Sequence, residues 1–387
     1  MGIPFILISI NATIFWTIFR VFIYDIGGSF TEVALISLIQ GFFTIFLSPF
    51  WGALSDALKR RKIFIIAGSA FLALIAPLFL MARSITDYLI VFTVGSFFSS
   101  MIYPCLNAIL TENVESTRRG ATLGLFFGLN AIGWTLGGFL SGYLADVLGM
   151  DFVFILAGLV GGLGAVMGAL LIREYGQYGK LSKDVIHYAW KRVMGSFTIE
   201  KNPDLMVLLG TIILYGSGSG VFFTLFQIKF FECVKRSYLI YGIVSALSGM
   251  GSIIAPPVYG YLADKIGKKE VFQATLIAYT LYFITMGLTW NPLILAILWF
   301  LPLWPGVRIS SIALATELAR EDAVGEYQGF VESSSALARA IGALIGGVIA
   351  DILGARKNIF LIDYILIGSA IGPFLATLLI NKLRLRR

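Results

Sequence analysis

Apolar runs, each about as long as a bilayer is thick, succeed one another along the chain with short polar breaks between them. A helix crossing the hydrocarbon needs about 20 predominantly apolar residues. That ruler predicts twelve spans, at 3–24, 33–55, 63–82, 88–110, 121–145, 152–172, 204–228, 238–262, 271–290, 293–316, 327–350 and 358–380. The first run lacks a basic lead-in and is too long for a secretory signal. Most breaks are short, so neighbouring spans are expected to run antiparallel. The stretch 173–203 is longer. There Ile186, Trp190, Val193, Met194 and Phe197 recur at helical spacing on one face, with Lys183, Asp184, His187 and Lys191 on the other. This predicts an amphipathic helix on the membrane surface, although a solvated linker would account for the same residues. Either way the chain divides into an N-terminal six-helix bundle (1–172), a linker (173–203) and a C-terminal six-helix bundle (204–387).

Composition narrows the class. Of 387 residues, 58% are hydrophobic and only 13% charged, and the mean hydropathy is +0.88. A water-solvated fold has no core large enough to hide that much apolar surface. Cys105 and Cys233 are the only cysteines and His187 the only histidine, which excludes disulfide scaffolds, Cys-based zinc sites and His-metal clusters. There is no Gly-x-x-x-x-Gly-Lys-[Ser/Thr] loop and no nucleophile–base constellation. No cofactor, nucleotide, metal or nucleic-acid partner is therefore expected, and an intramembrane enzyme is disfavoured.

The basic residues orient the spans. If the N-terminus is cytoplasmic, twenty Lys and Arg fall in inward segments, among them Lys59, Arg60, Arg61, Lys62, Lys265, Lys268 and Lys269. Outward loops hold five: Arg83, Lys235, Arg236, Arg356 and Lys357. That asymmetry places both termini in the cytoplasm of a multi-pass protein of the plasma (cytoplasmic) membrane. Four more, Arg20, Lys229, Arg308 and Arg339, lie within spans or at their ends.

The chain also repeats itself. Gly52-Ala-Leu-Ser-Asp56 recurs 208 residues later as Gly260-Tyr-Leu-Ala-Asp264, and Gly142-Tyr-Leu-Ala-Asp146 recurs 205 residues later as Gly347-Val-Ile-Ala-Asp351. Glu112 and Glu317, Gly120 and Gly325, and Gly124 and Gly329 keep the second offset. The string closes spans two, five, eight and eleven. On the orientation above, the copies at 52 and 260 end inside and those at 142 and 347 end outside, the mark of inverted three-span repeats nested in each half. The physical use of the string is independent of any family. Its glycine allows close helix contact, and its aspartate can accept hydrogen bonds from the exposed amides of a helix N-terminus.

With these motifs the chain resembles the major facilitator superfamily over nearly its whole length. That family's signature between spans two and three is Gly-x-Leu-Ala-Asp-Arg-x-Gly-Arg-Lys. The copy Gly260-Tyr-Leu-Ala-Asp264-Lys265-Ile-Gly267-Lys268-Lys269 follows it, whereas the first copy keeps Asp56 and Arg60 but has Ala57 for the usual Arg and Lys59 for the usual Gly. The resemblance implies an all-α integral membrane protein of twelve transmembrane helices in two pseudo-symmetric six-helix bundles. Spans one, four, seven and ten would line a central cavity, and two, five, eight and eleven would meet between the halves. It implies a functional monomer that carries a small-molecule substrate across the lipid bilayer by alternating access. Gly52, Asp56, Arg60, Gly260, Asp264 and Lys268 are expected to form a cytoplasmic gate that steadies the outward-facing state. Gly133-Trp134-Thr-Leu-Gly137-Gly138 resembles the family's exporter motif with Trp in place of Pro, a lean toward antiport.

Ionisable groups inside spans are costly and point to function. Arg308, after the Pro302…Pro305-Gly306 break, and Arg339 can bind an anionic group through their guanidinium forks. In the competing structural reading, Arg339 pairs with Glu332 and Arg308 with a backbone carbonyl. Arg20, Asn107, Asn130, Trp134, Gln227 and Trp304 complete the candidate substrate site. Lys229 is expected to snorkel to the outer interface, and Asp363 to face away from the cavity. Glu332, the one deep carboxylate, is the candidate proton-coupling group; exchange of one anion for another would need none. The function expected is secondary active transport of a small organic anion, with proton-coupled export of amphipathic drugs as the alternative.

Overall fold

The computed structural model describes residues 2–112, 119–172, 174, 179, 182–195, 202–320 and 323–383, without the side chains of 15–16, 110–112, 119–127 and 252–253. Glu112, Gly120, Gly124 and Phe197 thus fall outside the side chains described. In lipid every backbone amide must be satisfied internally, which leaves helices as the solution for such apolar runs. The spans are α1 (Gly2–Asp25), α2 (Phe30–Leu58), α3 (Lys62–Met81), α4 (Ile85–Ile109), α5 (Arg119–Val147), α6 (Met150–Leu171), α7 (Pro203–Cys233), α8 (Tyr238–Ile266), α9 (Lys268–Leu288), α10 (Pro292–Leu318), α11 (Val324–Ile352) and α12 (Leu361–Ile380). Among the described residues, all but α5 are long and apolar enough to cross a membrane by length and composition. Some helix starts carry side-chain caps: Ser84 and Asp87 form a capping box before α4, and the Asn202 side chain accepts from the amides of Asp204 and Leu205 at α7. The proline-rich break of α10 is real, since helix stops at Trp299 and resumes at Trp304.

By contact the chain forms two compact units. One comprises Met1–Phe22, Phe42–Gly195 and Ser237–Ile253; the other comprises Ile23–Gly41, Ser196–Arg236 and Ile254–Arg387. The start of α2 thus groups with second-half helices, and the start of α8 with first-half helices.

Within the first unit, Phe19, Phe79, Phe92 and Phe154 stack, with ring centroids 4.8 Å apart for Phe19–Phe92 and for Phe79–Phe154. The Asn11 amide donates to Ala157 O at 2.6 Å. A Cβ at Gly133 would collide with Ser9 of α1, so close packing alone accounts for a glycine in the exporter-like string. The linker helix (Lys183–Gly195) lies against the end of α2. It buries Ala189 and Val193 among Phe50, Ala53, Leu54 and Leu58. Val193, of the expected apolar face, is covered by α2, while Ile186, Trp190 and Met194 of that face are exposed.

Within the second unit, α7 and α11 pack backbone to backbone, with Gly220 against Arg339 O. Phe222 stacks on Phe283 at 3.9 Å. Lys229 overturns the snorkelling expectation, being fully buried. Its ammonium donates to Met286 O at 2.9 Å, Gly287 O at 2.8 Å and Asp363 Oδ1 at 2.6 Å. The two carbonyls belong to the last turn of α9, where helix acceptors lack internal partners and a cation is favoured. The Trp290 indole N–H holds the other Asp363 oxygen at 2.7 Å.

Candidate functional site

Two copies of the repeated string cap helix starts, one copy within each unit. In the first unit, Asp146 closes α5 and accepts from Tyr238 N and Leu239 N, both at 2.8 Å, and from the Ser237 hydroxyl at 2.7 Å. These are the first amides of α8. In the second unit, Asp351 closes α11 and accepts from Phe30 N at 3.0 Å, Thr31 N at 2.8 Å and the Thr31 hydroxyl at 2.6 Å. These are the first amides of α2. A carboxylate there satisfies orphan donors and meets the positive end of the helix dipole.

One turn before each aspartate, the glycine of the same string makes the approach possible. A Cβ on Gly142 would strike Tyr238 O and lie 3.1 Å from Gly242 Cα; one on Gly347 would lie 2.5 Å from Phe30 O and 2.8 Å from Ala34 Cβ. The string is therefore one device, a glycine for contact and an aspartate for the cap. A cluster adjoins the Asp351 cap. Tyr24 donates to Glu232 at 2.8 Å, Arg236 pairs with Glu232 at 2.8 Å and with Asp25 at 3.3 Å, and Arg356 donates to the carbonyls of Tyr24 and Gly28.

The roles foreseen for the other two copies are not made in this structure. Asp56 pairs with Arg61 at 2.5 Å and with Arg192 of the linker helix at 3.2 Å, rather than with a helix start. Asp264 is exposed and has no hydrogen bond or ion pair among the described residues. Nor do Gly52 and Gly260 sit in close contacts: a Cβ would be 3.8 Å from Pro104 at the first and meet nothing within 4 Å at the second. Arg60 is half-buried. Lys268 pairs with Glu317 at 2.9 Å, tying the signature loop to the end of α10.

The second unit contains a cavity of about 360 Å³. Its apolar wall is Ile212, Val307, Val331 and Trp304; its polar wall is Tyr215, Arg308, Ser311, Glu332, Ser335 and Arg339. Arg308 Nε donates to Glu332 Oε1 at 3.0 Å, with the two side chains 56% and 44% exposed. The Arg339 guanidinium donates to the Ser335 hydroxyl at 2.5 Å and has no carboxylate partner among the described residues. The structural pairing of Arg339 with Glu332 is thus corrected. Seven residues along one helix separate them by about 10 Å of rise, whereas Arg308 faces Glu332 across the α10–α11 contact.

Of the expected site, Trp304, Arg308, Glu332 and Arg339 converge on this cavity. Gln227 is half-buried farther along α7 and does not line it. Arg20, Asn107, Asn130 and Trp134 belong to the first unit. There Arg20 lies beside Tyr241, Asn107 is exposed on α4, and Trp134 is 39% exposed on α5. The Asn130 carbonyl oxygen is buried without a hydrogen-bond partner among the described residues. Asp363 is spent on Lys229, away from the cavity. Tyr215, Ser311 and Ser335 were not foreseen. Ser335 alone left a signal, standing one helical turn before Arg339.

A duplicated set of membrane helices, with an acid-capped helix start in each unit and a charged cavity within one, fits a membrane transporter. The family model of the Major Facilitator Superfamily matches residues 2–236 and again 207–386. The chain belongs to that superfamily. Among its relatives is the multidrug resistance protein MdtG of Rahnella sp. (strain Y9602), 27% identical over 347 residues, covering 87% of this chain and 81% of that protein. MdtG of Salmonella schwarzengrund (strain CVM19633) is 28% identical over 364 residues, covering 91% and 85%. Similar solved structures share the fold at low identity. The nucleoside transporter NupG matches with a TM-score of 0.76 and 12% identity over 99% of this chain and 98% of that one. A bacterial homolog of the lysosomal transporter Spinster, inward-facing and occupied, matches with 0.71 and 15% over 98% and 94%.

Proposed function

We propose that the chain is a secondary active transporter of the cytoplasmic membrane, with both termini inside, that carries organic anions with an apolar body by alternating access. The observation that carries this reading is the charge of the cavity, two guanidiniums against one carboxylate, beside a wall of Trp304, Val307 and Val331. Arg339, bonded to the Ser335 hydroxyl but to no carboxylate among the described residues, offers its remaining donors to a carboxylate, phosphate or phosphonate. Through these caps Asp146 and Asp351 steady one of the alternating states, and Asp56 and Asp264 steady the other when the caps break.

The Arg308–Glu332 pair sets the sign of coupling. An anion that reaches Arg308 displaces the Glu332 carboxylate, and a proton on Glu332 relieves the resulting repulsion. Proton and anion then bind together and move in the same direction. A cation would instead take the Glu332 carboxylate that a proton would otherwise occupy, so the two would compete and move in opposite directions. The names of the MdtG relatives favour this second reading, proton-coupled export of amphipathic drugs.

Transport into proteoliposomes under an imposed pH gradient separates the two. The anion reading expects organic anions to accumulate on the alkaline side, dependent on Glu332. Accumulation of lipophilic cations on the acidic side, with anions unmoved, would establish the exporter instead.

A further inference from the structure

We infer that the exposed face of the linker helix is a docking surface for the anionic headgroups of the bilayer. Three stripes run along this helix, each offset by one residue and so turned by about 100°. Val185, Ala189 and Val193 pack on the end of α2. Ile186, Trp190 and Met194, the next stripe, are 38%, 38% and 52% exposed. Lys183, His187 and Lys191 follow, all exposed. An apolar stripe bordered by lysines is the arrangement of a helix lying in the plane of the interface.

Two observations say what covers it. The surface that receives the helix, Phe50 to Leu58, is the terminal part of a membrane span, and the Trp190 ring lies 4.8 Å from that of Phe50. Ile186, Trp190 and Met194 are thereby held at the depth where a span leaves the hydrocarbon. The charge around them is complementary to anionic lipid. Lys183, Lys191 and Lys59 are exposed, and the one acid on the helix, Asp184, sits in its first turn. Arg192 points the other way, to Asp56. A headgroup bound by the lysines would therefore press the helix onto α2 and keep Arg192 on the gate aspartate.

The test uses the full chain in phosphatidylcholine vesicles containing either brominated phosphatidylglycerol or brominated phosphatidylcholine at equal mole fraction. The quenching due to Trp190 is the difference between the parent and Trp190→Phe. Each lysine contributes about fivefold to local enrichment of anionic lipid, so this component is quenched more strongly by the brominated phosphatidylglycerol. The preference disappears in high salt and in the Lys183→Gln/Lys191→Gln variant, whose exposed side chains leave the melting temperature unchanged. Equal quenching by both lipids would leave an apolar contact without headgroup recognition and overturn the inference. Absence of any Trp190 component would show that something other than lipid covers the face, and would overturn it too. Neither result bears on the cavity.

Discussion

At the scale of single residues, what a charged side chain does here is decided by which helix end it can reach. Asp146 and Asp351 reach free amides; Lys229 reaches free carbonyls. The four aspartates of the repeated string were visible in the sequence, and so was their fitness for capping a helix. Which two would be engaged was not, because the four strings are alike in sequence. Lys229 was misread because hydropathy records that a lysine is costly in a span but not that Met286, Gly287 and Asp363 converge on it. Removing one partner of a buried pair leaves a charge uncompensated, at a cost of about 3–5 kcal/mol. Lys229→Met should therefore lower the melting temperature in detergent strongly, and Lys229→Met with Asp363→Leu should recover much of the loss. A melting temperature unchanged in the single variant would mean that the pair does not hold α7, α9 and α12 together.

At the scale of elements, the span pattern was legible almost throughout, since lipid allows the apolar runs only one backbone solution. The break in α10 followed from its prolines. The linker helix was legible as an amphipathic helix, but its packing on α2 through Ala189 was not, because a lone alanine weighs little in an apolar pattern. The glycines of the four strings are likewise equal in sequence and unequal in structure. A valine at Gly347 must displace the backbone of Phe30, whereas one at Gly260 meets open space. Gly347→Val should disrupt the α11–α2 contact, increasing alkylation of a cysteine placed at Ser29, while Gly260→Val leaves that labelling unchanged in the same conformation. Equal labelling in the two variants would contradict the close-approach role of Gly347.

At the scale of the whole molecule, the proposed transport cycle expects the two capped starts to bias an equilibrium between alternating states. Loss of an N-cap side chain costs about 1 kcal/mol, so Asp146→Ala with Asp351→Ala should shift populations by roughly thirtyfold, on 1.4 kcal/mol per tenfold. Spin-label distances across the outer ends of α2 and α11 should lengthen in that variant, and an unaltered distribution would remove the latch from the account. The cavity itself was half legible. Arg308, Arg339, Glu332 and Trp304 stood out as costly or bulky groups at suitable depth, but the partner of Glu332 is chosen across a helix contact that no sequence spacing encodes.

The Arg308–Arg339 cavity is proposed to select anions. Its most direct test is the thermal stability of the purified protein across matched panels of organic anions and lipophilic cations, for wild type and Arg339→Gln. A ligand that binds only the folded state adds about 2.7 kcal/mol at a hundredfold excess over its dissociation constant. Stabilisation by an anion bearing an apolar body, lost in Arg339→Gln, is the predicted result. Stabilisation by cations alone, unchanged in Arg339→Gln, would contradict it.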